Sequence, residues 1–285
     1  MIEVAHWKRW ATSILEGFVT VYLGSLGRMI PIYSTPSAQL ETEERYTFTR
    51  TLEGRRKAQP KPIGRRTWGL NAQFADPSEH SLLSQFADGV WGAGPFVFVS
   101  ADAPHTNLLT PGAASCDPAL ITATSFVSNG GPAEVEPGVW VGRSYLNTSS
   151  SINMAFPART PVIPGRQVTG SAYVRGAGMK VNVSFWDAAD QFISSAGSSG
   201  SGSASSWSRL SVTRTPPVNA VRVAVYATGA GRGAAPAVTW SEGVLPWSDG
   251  QGCEKAVVSS MSRDQVLAVA GHTYSNVSFT VSEVG

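Results

Sequence analysis

Apolar and polar residues alternate along many short segments of the chain, which is the two-residue period of a half-buried β-strand. In the first hundred residues, this alternation and one short apolar run predict strands over residues 17–23, 29–32, 45–52, 67–74 and 95–99. Farther along, strands are predicted over residues 138–142, 168–175, 180–186, 207–213, 220–226, 237–240 and 274–281. Because helical patterns are rare, we predict a mainly β fold.

One segment has a helical pattern instead. Asp76 is a natural N-cap, Pro77 suits the first helical position, and Glu79 completes a capping box. Apolar residues three and four apart then form one stripe, and Gly89 stands where a helix would stop. The spacing predicts a helix over 77–88.

The composition changes near residue 105. Residues 106–250 are rich in Ser, Gly, Ala, Thr and Val, and their short strands with frequent turn signals indicate a β-sandwich or jelly roll. Within this region the Gly/Ser/Ala run 194–206 is predicted to be a flexible loop. The strand over 274–281 lies beyond the jelly roll, so we place it in the sheet of the first domain. The prediction is a discontinuous base, 1–105 and 251–285, that carries the jelly roll as an insertion.

Composition and charge exclude several classes of protein. The 285 residues are 42% hydrophobic and 15% charged, as in a globular protein, and the formal net charge of +2 gives no reason to expect specific nucleic-acid binding. No apolar run reaches the ~18 residues of a membrane span, and the first residues lack the pattern of a secretory signal. Cys116 and Cys253 are too few for a disulfide framework or a zinc site.

Parts of the chain resemble minor tail proteins of long-tailed phages of actinobacteria. The resemblance lies in Arg65-Arg66-Thr67-Trp68-Gly69-Leu70, the predicted helix, the segments 89–99 and 106–111, and the closing segment 277–285. The strand–helix–strand order also resembles distal tail proteins. The resemblance implies a tail-tube-like β-sandwich base with one packed helix, which assembles in the host cytoplasm into a homo-oligomeric ring, a hexamer, at the virion tail tip. It implies the tail tube and tail hub as further partners.

Residues 138–247 resemble a jelly-roll carbohydrate-binding module. The resemblance lies in Pro164-Gly165-Arg166, Tyr173, Phe185-Trp186-Asp187, Trp207, Pro216-Pro217 and Thr239-Trp240. It implies host cell-wall polysaccharide as a partner during adsorption. The alternative is a carbohydrate-binding module or accessory domain of a glycan-active secreted protein.

Strand parity places aromatic and polar side chains on the outward side of three predicted strands. These candidate glycan-binding residues are Tyr173, Trp186, Tyr226, Arg175, Arg222 and Asn182. Sugar rings stack on aromatic side chains, and Arg and Asn donate hydrogen bonds to hydroxyl groups, so we predict one common face that binds glycans. The alternative is that these rings pack under loops or against the first domain.

No catalytic signature is present, and we expect neither catalytic residues nor a cofactor. The four histidines are scattered without metal-ligand spacing, and most carboxylates of the jelly-roll region fall in turns. Asp187 and Asp190 are in such a turn. They are interpreted as turn-forming residues, with a structural calcium site as the less favoured alternative.

A basic stretch spans residues 50–66, where the only acidic residue is Glu53. Its glycines and prolines predict a long loop between two strands. One interpretation is a solvated loop, and another is a loop that lines a channel for DNA. A third is a subunit interface, for which the candidate residues are Arg55, Arg56 and Lys57 against Glu43 and Glu44 of the adjacent subunit.

Overall fold

The fold was obtained as a computed structural model, which describes residues 19–34, 39–42, 46–50, 53–60, 65–75, 77–121, 126–269 and 272–284. It is mainly β with antiparallel strand pairing, so the predicted fold class is confirmed. The predicted helix is observed as α1 (Pro77–Ala87), while its predicted cap Asp76 lies outside the described residues. A one-turn helix, α2 (Pro111–Ala114), was not predicted.

The strands of the described residues, in chain order, are β1 (Val19–Ser25), β2 (Arg28–Ser34), β3 (Gln39–Thr42), β4 (Tyr46–Arg50), β5 (Arg56–Pro60), β6 (Arg66–Ala75), β7 (Phe96–Val99), β8 (Val127–Asn129), β9 (Ala133–Glu136), β10 (Val139–Val141), β11 (Tyr145–Asn147), β12 (Met154–Pro161), β13 (Val168–Arg175), β14 (Lys180–Trp186), β15 (Phe192–Gly197), β16 (Ser208–Arg214), β17 (Arg222–Thr228), β18 (Gly231–Thr239), β19 (Cys253–Val269) and β20 (His272–Glu283). Two compact units share them. Unit 1 comprises the described residues of 1–21, 31–96 and 255–285, and unit 2 comprises 22–30 and 97–254.

In the sheet of unit 1, β20 lies between β19 and β6. β20 pairs with β19 on one side and with β6 on the other, and β3 pairs with the far edge of β6. Helix α1 packs against β6 and β20, where Leu83 and Phe86 are buried. A two-pronged ion pair at 2.9 Å joins Arg66 to Glu283 and so links the start of β6 to the end of β20.

Unit 1 also contains a separate two-stranded sheet. β4 and β5 pair with each other, and no further described strand joins them. Gly54, in the left-handed region with φ of 82°, lies in the turn between them. The predicted long loop over 50–66 is therefore wrong in its middle, because residues 56–60 form the second strand of a hairpin.

Unit 2 contains a β-sandwich. Its two sheets have the strand orders β16-β13-β18-β11-β8 and β12-β17-β14-β15, and all their pairs are antiparallel. Alternate residues from both sheets form the core, among them Ala172 and Val174 of β13, Val183 of β14 and Val225 of β17. The short hairpin β9–β10 forms a two-stranded sheet of its own.

Two features of unit 2 were not predicted. The run 194–206 begins inside β15, which pairs with β14, so its first residues are a strand and the loop prediction is wrong there. The amide of Asn107 is fully buried and holds neighbouring segments together, since it donates to the carbonyls of Pro236 and Ser248 and accepts from the N–H groups of Leu109 and Val238.

Candidate glycan-binding face

The outer face of the four-stranded sheet is the candidate site. Along β14 and β17, core residues alternate with residues that point away from the core. The outward positions on these strands are Lys180, Asn182, Ser184, Trp186, Arg222, Ala224, Tyr226 and Thr228. The register sets Trp186 opposite Arg222, and Asn182 opposite Tyr226. We call this surface the Trp186–Tyr226 face.

The Tyr226 ring lies across the neighbouring strand. Its hydroxyl is 2.7 Å from Oγ of Ser195, and Ser195 belongs to β15, on the far side of β14 from β17. The ring must therefore cross β14, and Ser184 on that strand is accordingly only 2% exposed. Tyr226 itself stays partly exposed. A partly exposed ring that is held across a sheet in this way can stack on the ring of a sugar.

A second aromatic group stands at the other end of the face. The Arg222 guanidinium lies 4.4 Å from the centroid of the Trp186 ring, and its Nη2 is 2.5 Å from Oδ1 of Asp190. Phe192 meets Trp186 edge-on, with 6.1 Å between the centroids, and is 60% exposed. Because Arg222 covers one side of Trp186, the most exposed ring at this end is Phe192.

The turn between β14 and β15 sets this end of the face. Oδ1 of Asp187 accepts hydrogen bonds at 2.9 Å from the N–H groups of Ala189 and Gln191, which confirms the turn-forming interpretation of Asp187. Asp190 has φ of 64°, in the left-handed region that Asp tolerates better than most residues, and so presents its carboxylate to Arg222. Within the described part of the chain, no cluster of three or more His, Cys, Asp or Glu residues could hold a metal ion.

The two aromatic ends are separated by small, uncharged residues. Arg222 and Tyr226 are four residues apart on β17, a distance of ~13 Å at the rise of a β-strand. Between them lie Ala224 and Ser184, while the charge of Arg222 is balanced by Asp190. The amide of Asn182 donates to Oγ1 of Thr228 at 3.3 Å. Between its two aromatic ends the face therefore presents uncharged hydroxyl, amide and methyl groups, and the exposed Lys180 lies beyond the Tyr226 end.

Two predicted members do not belong to this face. Tyr173 and Arg175 lie on β13, which is part of the five-stranded sheet. The prediction that three strands share one face is wrong, because β13 pairs with β16 and β18 and not with β14. Tyr173 does point away from the core, as parity predicts, but it is only 3% exposed. Arg175 is exposed at the end of the same strand.

The hairpin β9–β10 contributes to the burial of Tyr173. The ring packs with Val135 and Val141 of that hairpin, and its hydroxyl donates to Oε1 of Glu136 at 2.7 Å. The Arg209 guanidinium lies 5.5 Å from the ring centroid. Burial, and secondly the bond to Glu136, raise the pKa of Tyr173 to about 12. Tyr173 is thus packed beneath other residues, which was the alternative left open for these rings.

The candidate glycan-binding residues predicted from the sequence do not include Phe192 and Ser195, which lie on β15. The serine- and glycine-rich composition of this strand is atypical of β-structure, and it led to the prediction of a loop. A signal was present, since the aspartate turn after Trp186 is followed by Phe192 and Ile193, as in the second strand of a hairpin.

The predicted subunit-interface residues fall into two groups. Arg55, Arg56 and Lys57 are exposed at the start of β5. Glu43 and Glu44 lie outside the described residues, so their pairing with this basic group stays a prediction. No helix among the described residues is long and apolar enough to cross a lipid bilayer.

Comparison with known families and curated proteins gives no match to this sequence. Among solved structures, the chain is similar to the enzymatically active domain of tailspike protein 4 of bacteriophage CBA120, with 13% identity over 48% of this chain and 22% of that one, at a TM-score of 0.37. It is also similar to the CBM22-1 and GH10 modules of endo-1,4-beta-D-xylanase 10B of Clostridium thermocellum, with 17% identity over 42% of this chain and 25% of that one, at a TM-score of 0.31. A third is the CBM22-1 xylan-binding domain of Paenibacillus barcinonensis Xyn10C, with 13% identity over 43% of this chain and 90% of that one, at a TM-score of 0.29. The matches thus span a quarter or less of the first two chains.

Proposed function

We propose that the chain is a non-enzymatic component of a phage tail tip whose β-sandwich binds an uncharged polysaccharide through the Trp186–Tyr226 face. The observation that carries the binding role is the Tyr226 ring, which lies across β14 with its hydroxyl bonded to Ser195. Such a ring is already ordered before a ligand arrives, so stacking costs little further conformational entropy. The place in a phage tail rests on the resemblance of the sequence to minor tail proteins.

The ligand class follows from the charges of the face. Its arginine is neutralised by Asp190, and the positions between the two aromatic ends carry hydroxyl, amide and methyl groups. Between the two aromatic ends an acidic polymer would find no unpaired cation, because Lys180 lies beyond Tyr226, whereas an uncharged glycan finds rings for stacking and donors for its hydroxyl groups. Asp187 and Asp190 are engaged in a turn and an ion pair, which supports binding over acid–base catalysis.

The binding role is tested with the full chain and a panel of soluble, uncharged polysaccharides, together with purified cell walls. Affinity electrophoresis and pull-down should show binding that Tyr226→Ala weakens at least about tenfold, or ~1.4 kcal/mol of binding free energy. Phe192→Ala is expected to weaken the same binding, because it removes the exposed ring at the other end.

The matched control is Trp140→Ala. Trp140 is 66% exposed and aromatic, but it lies on β10, away from the four-stranded sheet. Its removal should leave binding unchanged. Equal losses of binding in Trp140→Ala and Tyr226→Ala would refute the assignment to this face. If the wild type bound none of the polysaccharides and no cell wall, the binding role itself would be refuted.

Electron microscopy of the purified protein tests the tail-tip role separately. We expect rings, because the proposed role is that of a ring subunit. Dispersed monomers that still bind polysaccharide would favour the other candidate, an accessory binding domain of a glycan-active protein.

A further inference from the structure

The hairpin β4–β5 concentrates positive charge. Arg50 ends β4, Arg55 precedes β5, and Arg56 and Lys57 begin it, and all four are exposed. The turn between the strands contributes Glu53 as an acidic residue. Among the described residues, no carboxylate forms an ion pair with Arg50, Arg56 or Lys57.

The register of the hairpin sets two of these cations against each other. Arg50 lies directly opposite Arg56, with about 4.5–5.5 Å expected between the two Cβ atoms. Like charges in this position destabilise a strand pair, and a two-stranded hairpin without a third strand is marginally stable in water. The Arg56 guanidinium rests over the ring of Phe48, 4.1 Å from its centroid. An anion bound at this pair would relieve the repulsion.

The cations are not confined to one side of the hairpin. Alternation along the strand puts Lys57 on the opposite side from Arg56. A single small anion cannot reach both sides, whereas a chain of anions can pass around the hairpin. A second copy of this protein is a poor partner on charge, because each chain carries 22 basic and 20 acidic residues and hence no negative excess.

We propose that the β4–β5 hairpin binds the phosphodiester backbone of a polyanionic chain, without regard to its sequence. Arginine side chains match phosphate oxygens with two parallel hydrogen bonds, and each phosphate neutralised on DNA releases a bound counterion. This proposal is independent of glycan binding, because it involves another unit and other residues.

The test measures binding of the full chain to short duplex DNA and to poly(glycerol phosphate) over a series of salt concentrations. The logarithm of the DNA-binding constant should fall with the logarithm of the salt concentration by about 0.9 for each phosphate neutralised. The double variant Arg50→Gln/Arg56→Gln should reduce that slope by about 1.8. Arg50→Lys/Arg56→Lys should restore it, because counterion release depends on charge.

The matched control is Arg28→Gln/Arg214→Gln, which removes two exposed cations outside the hairpin and should keep the wild-type slope. Circular dichroism verifies that each variant is folded. The proposal is supported if the chain binds either polymer and this binding depends on Arg50 and Arg56. Which of the two polymers binds then distinguishes a nucleic acid from a wall polymer as the ligand.

Three results would overturn it. The first is that Arg50→Gln/Arg56→Gln binds both polymers as tightly as the wild type does. The second is binding of polyglutamate as tight as that of either phosphodiester. The third is that the same variant no longer self-associates in sedimentation velocity while its binding to the polymers is unchanged. That result would mean that the hairpin contacts a second copy of the chain.

Discussion

The two outer faces of the sandwich in unit 2 use tyrosine in opposite ways. On the four-stranded sheet, Tyr226 lies across β14 and remains partly exposed. On the five-stranded sheet, Tyr173 occupies an equally outward position, yet it is 3% exposed and packs with residues of the hairpin β9–β10. Each hydroxyl bonds to a side chain, that of Ser195 for Tyr226 and that of Glu136 for Tyr173. The difference lies in what covers each sheet.

This comparison shows that an outward position on a strand does not define a binding surface. Parity tells which side of its own sheet a residue occupies, but a later or earlier segment of the chain decides whether that side reaches solvent. On the five-stranded sheet, Val135 and Val141 make an outward tyrosine part of a second small core. On the four-stranded sheet, the outward residues between the two aromatic ends, Ala224 and Ser184, are small, and Tyr226 remains partly exposed to a ligand.

The largest expected difference between the two faces is in stability. Tyr173→Ala removes a buried ring and leaves a cavity beneath the hairpin, and should lower the free energy of unfolding by about 3–5 kcal/mol. Tyr226→Ala removes a partly exposed ring and one hydrogen bond, and should cost only about 0.5–1.5 kcal/mol. Urea unfolding followed by circular dichroism measures both values.

Equal losses of stability in Tyr173→Ala and Tyr226→Ala would contradict the difference in burial between the two tyrosines. Equal large losses would mean that Tyr226 packs as a core residue, and its role in glycan binding would then need another explanation. Equal small losses would mean that the hairpin β9–β10 does not seal Tyr173 from water.

The sequence predicted the strands and their parity better than the pairing between them. Residues 168–175 and 180–186 were predicted with the bounds that the structure has, and the outward positions of Tyr173 and Trp186 follow from local alternation. Which sheet a strand joins depends on hydrogen bonds between distant segments, and no local pattern reports those bonds. β13 was therefore grouped with β14 and β17, although it pairs with β16 and β18.

The first strand of the covering hairpin, β9, escaped prediction for a related reason, whereas its second strand, β10, lies within the strand predicted over 138–142. Most carboxylates of this region are expected in turns, whereas Glu134 and Glu136, which flank prolines in the sequence, lie in β9. Its buried positions, Ala133 and Val135, alternate with these glutamates over only four residues. So short a pattern gains its stability from the sheet beneath it, and the sequence alone does not show that sheet.

A smaller expected effect is the loss of stability that the buried Tyr173 hydroxyl causes in alkaline solution. The pKa of Tyr173 is raised from 10.0 to about 12 by burial and by its bond to Glu136. Because the folded state holds the proton more tightly, this contribution to stability is complete below about pH 10 and is lost as the pH rises toward 12. The wild type should therefore lose stability more steeply than Tyr173→Phe across this range.

Urea midpoints at a series of alkaline pH values measure that difference. Other buried groups with raised pKa, such as the Cys116 thiol, are present in both proteins, so their effect cancels in the comparison. Parallel curves for wild type and Tyr173→Phe would contradict the burial of this hydroxyl.

The smallest expected effect concerns the charged pair at the end of the Trp186–Tyr226 face. Asp190→Asn removes the ion pair with Arg222 but keeps a residue that tolerates the positive φ of 64° at this position. Because the Asp190 side chain is 55% exposed, the loss of stability should stay within about 1 kcal/mol.

The same variant leaves the Arg222 charge unbalanced, so it should bind acidic polysaccharides better than the wild type does and uncharged ones no better. Affinity electrophoresis against a matched pair of uncharged and uronic-acid-containing polysaccharides measures this shift. An unchanged preference would mean that Arg222 does not contact the ligand and acts only by stacking on Trp186.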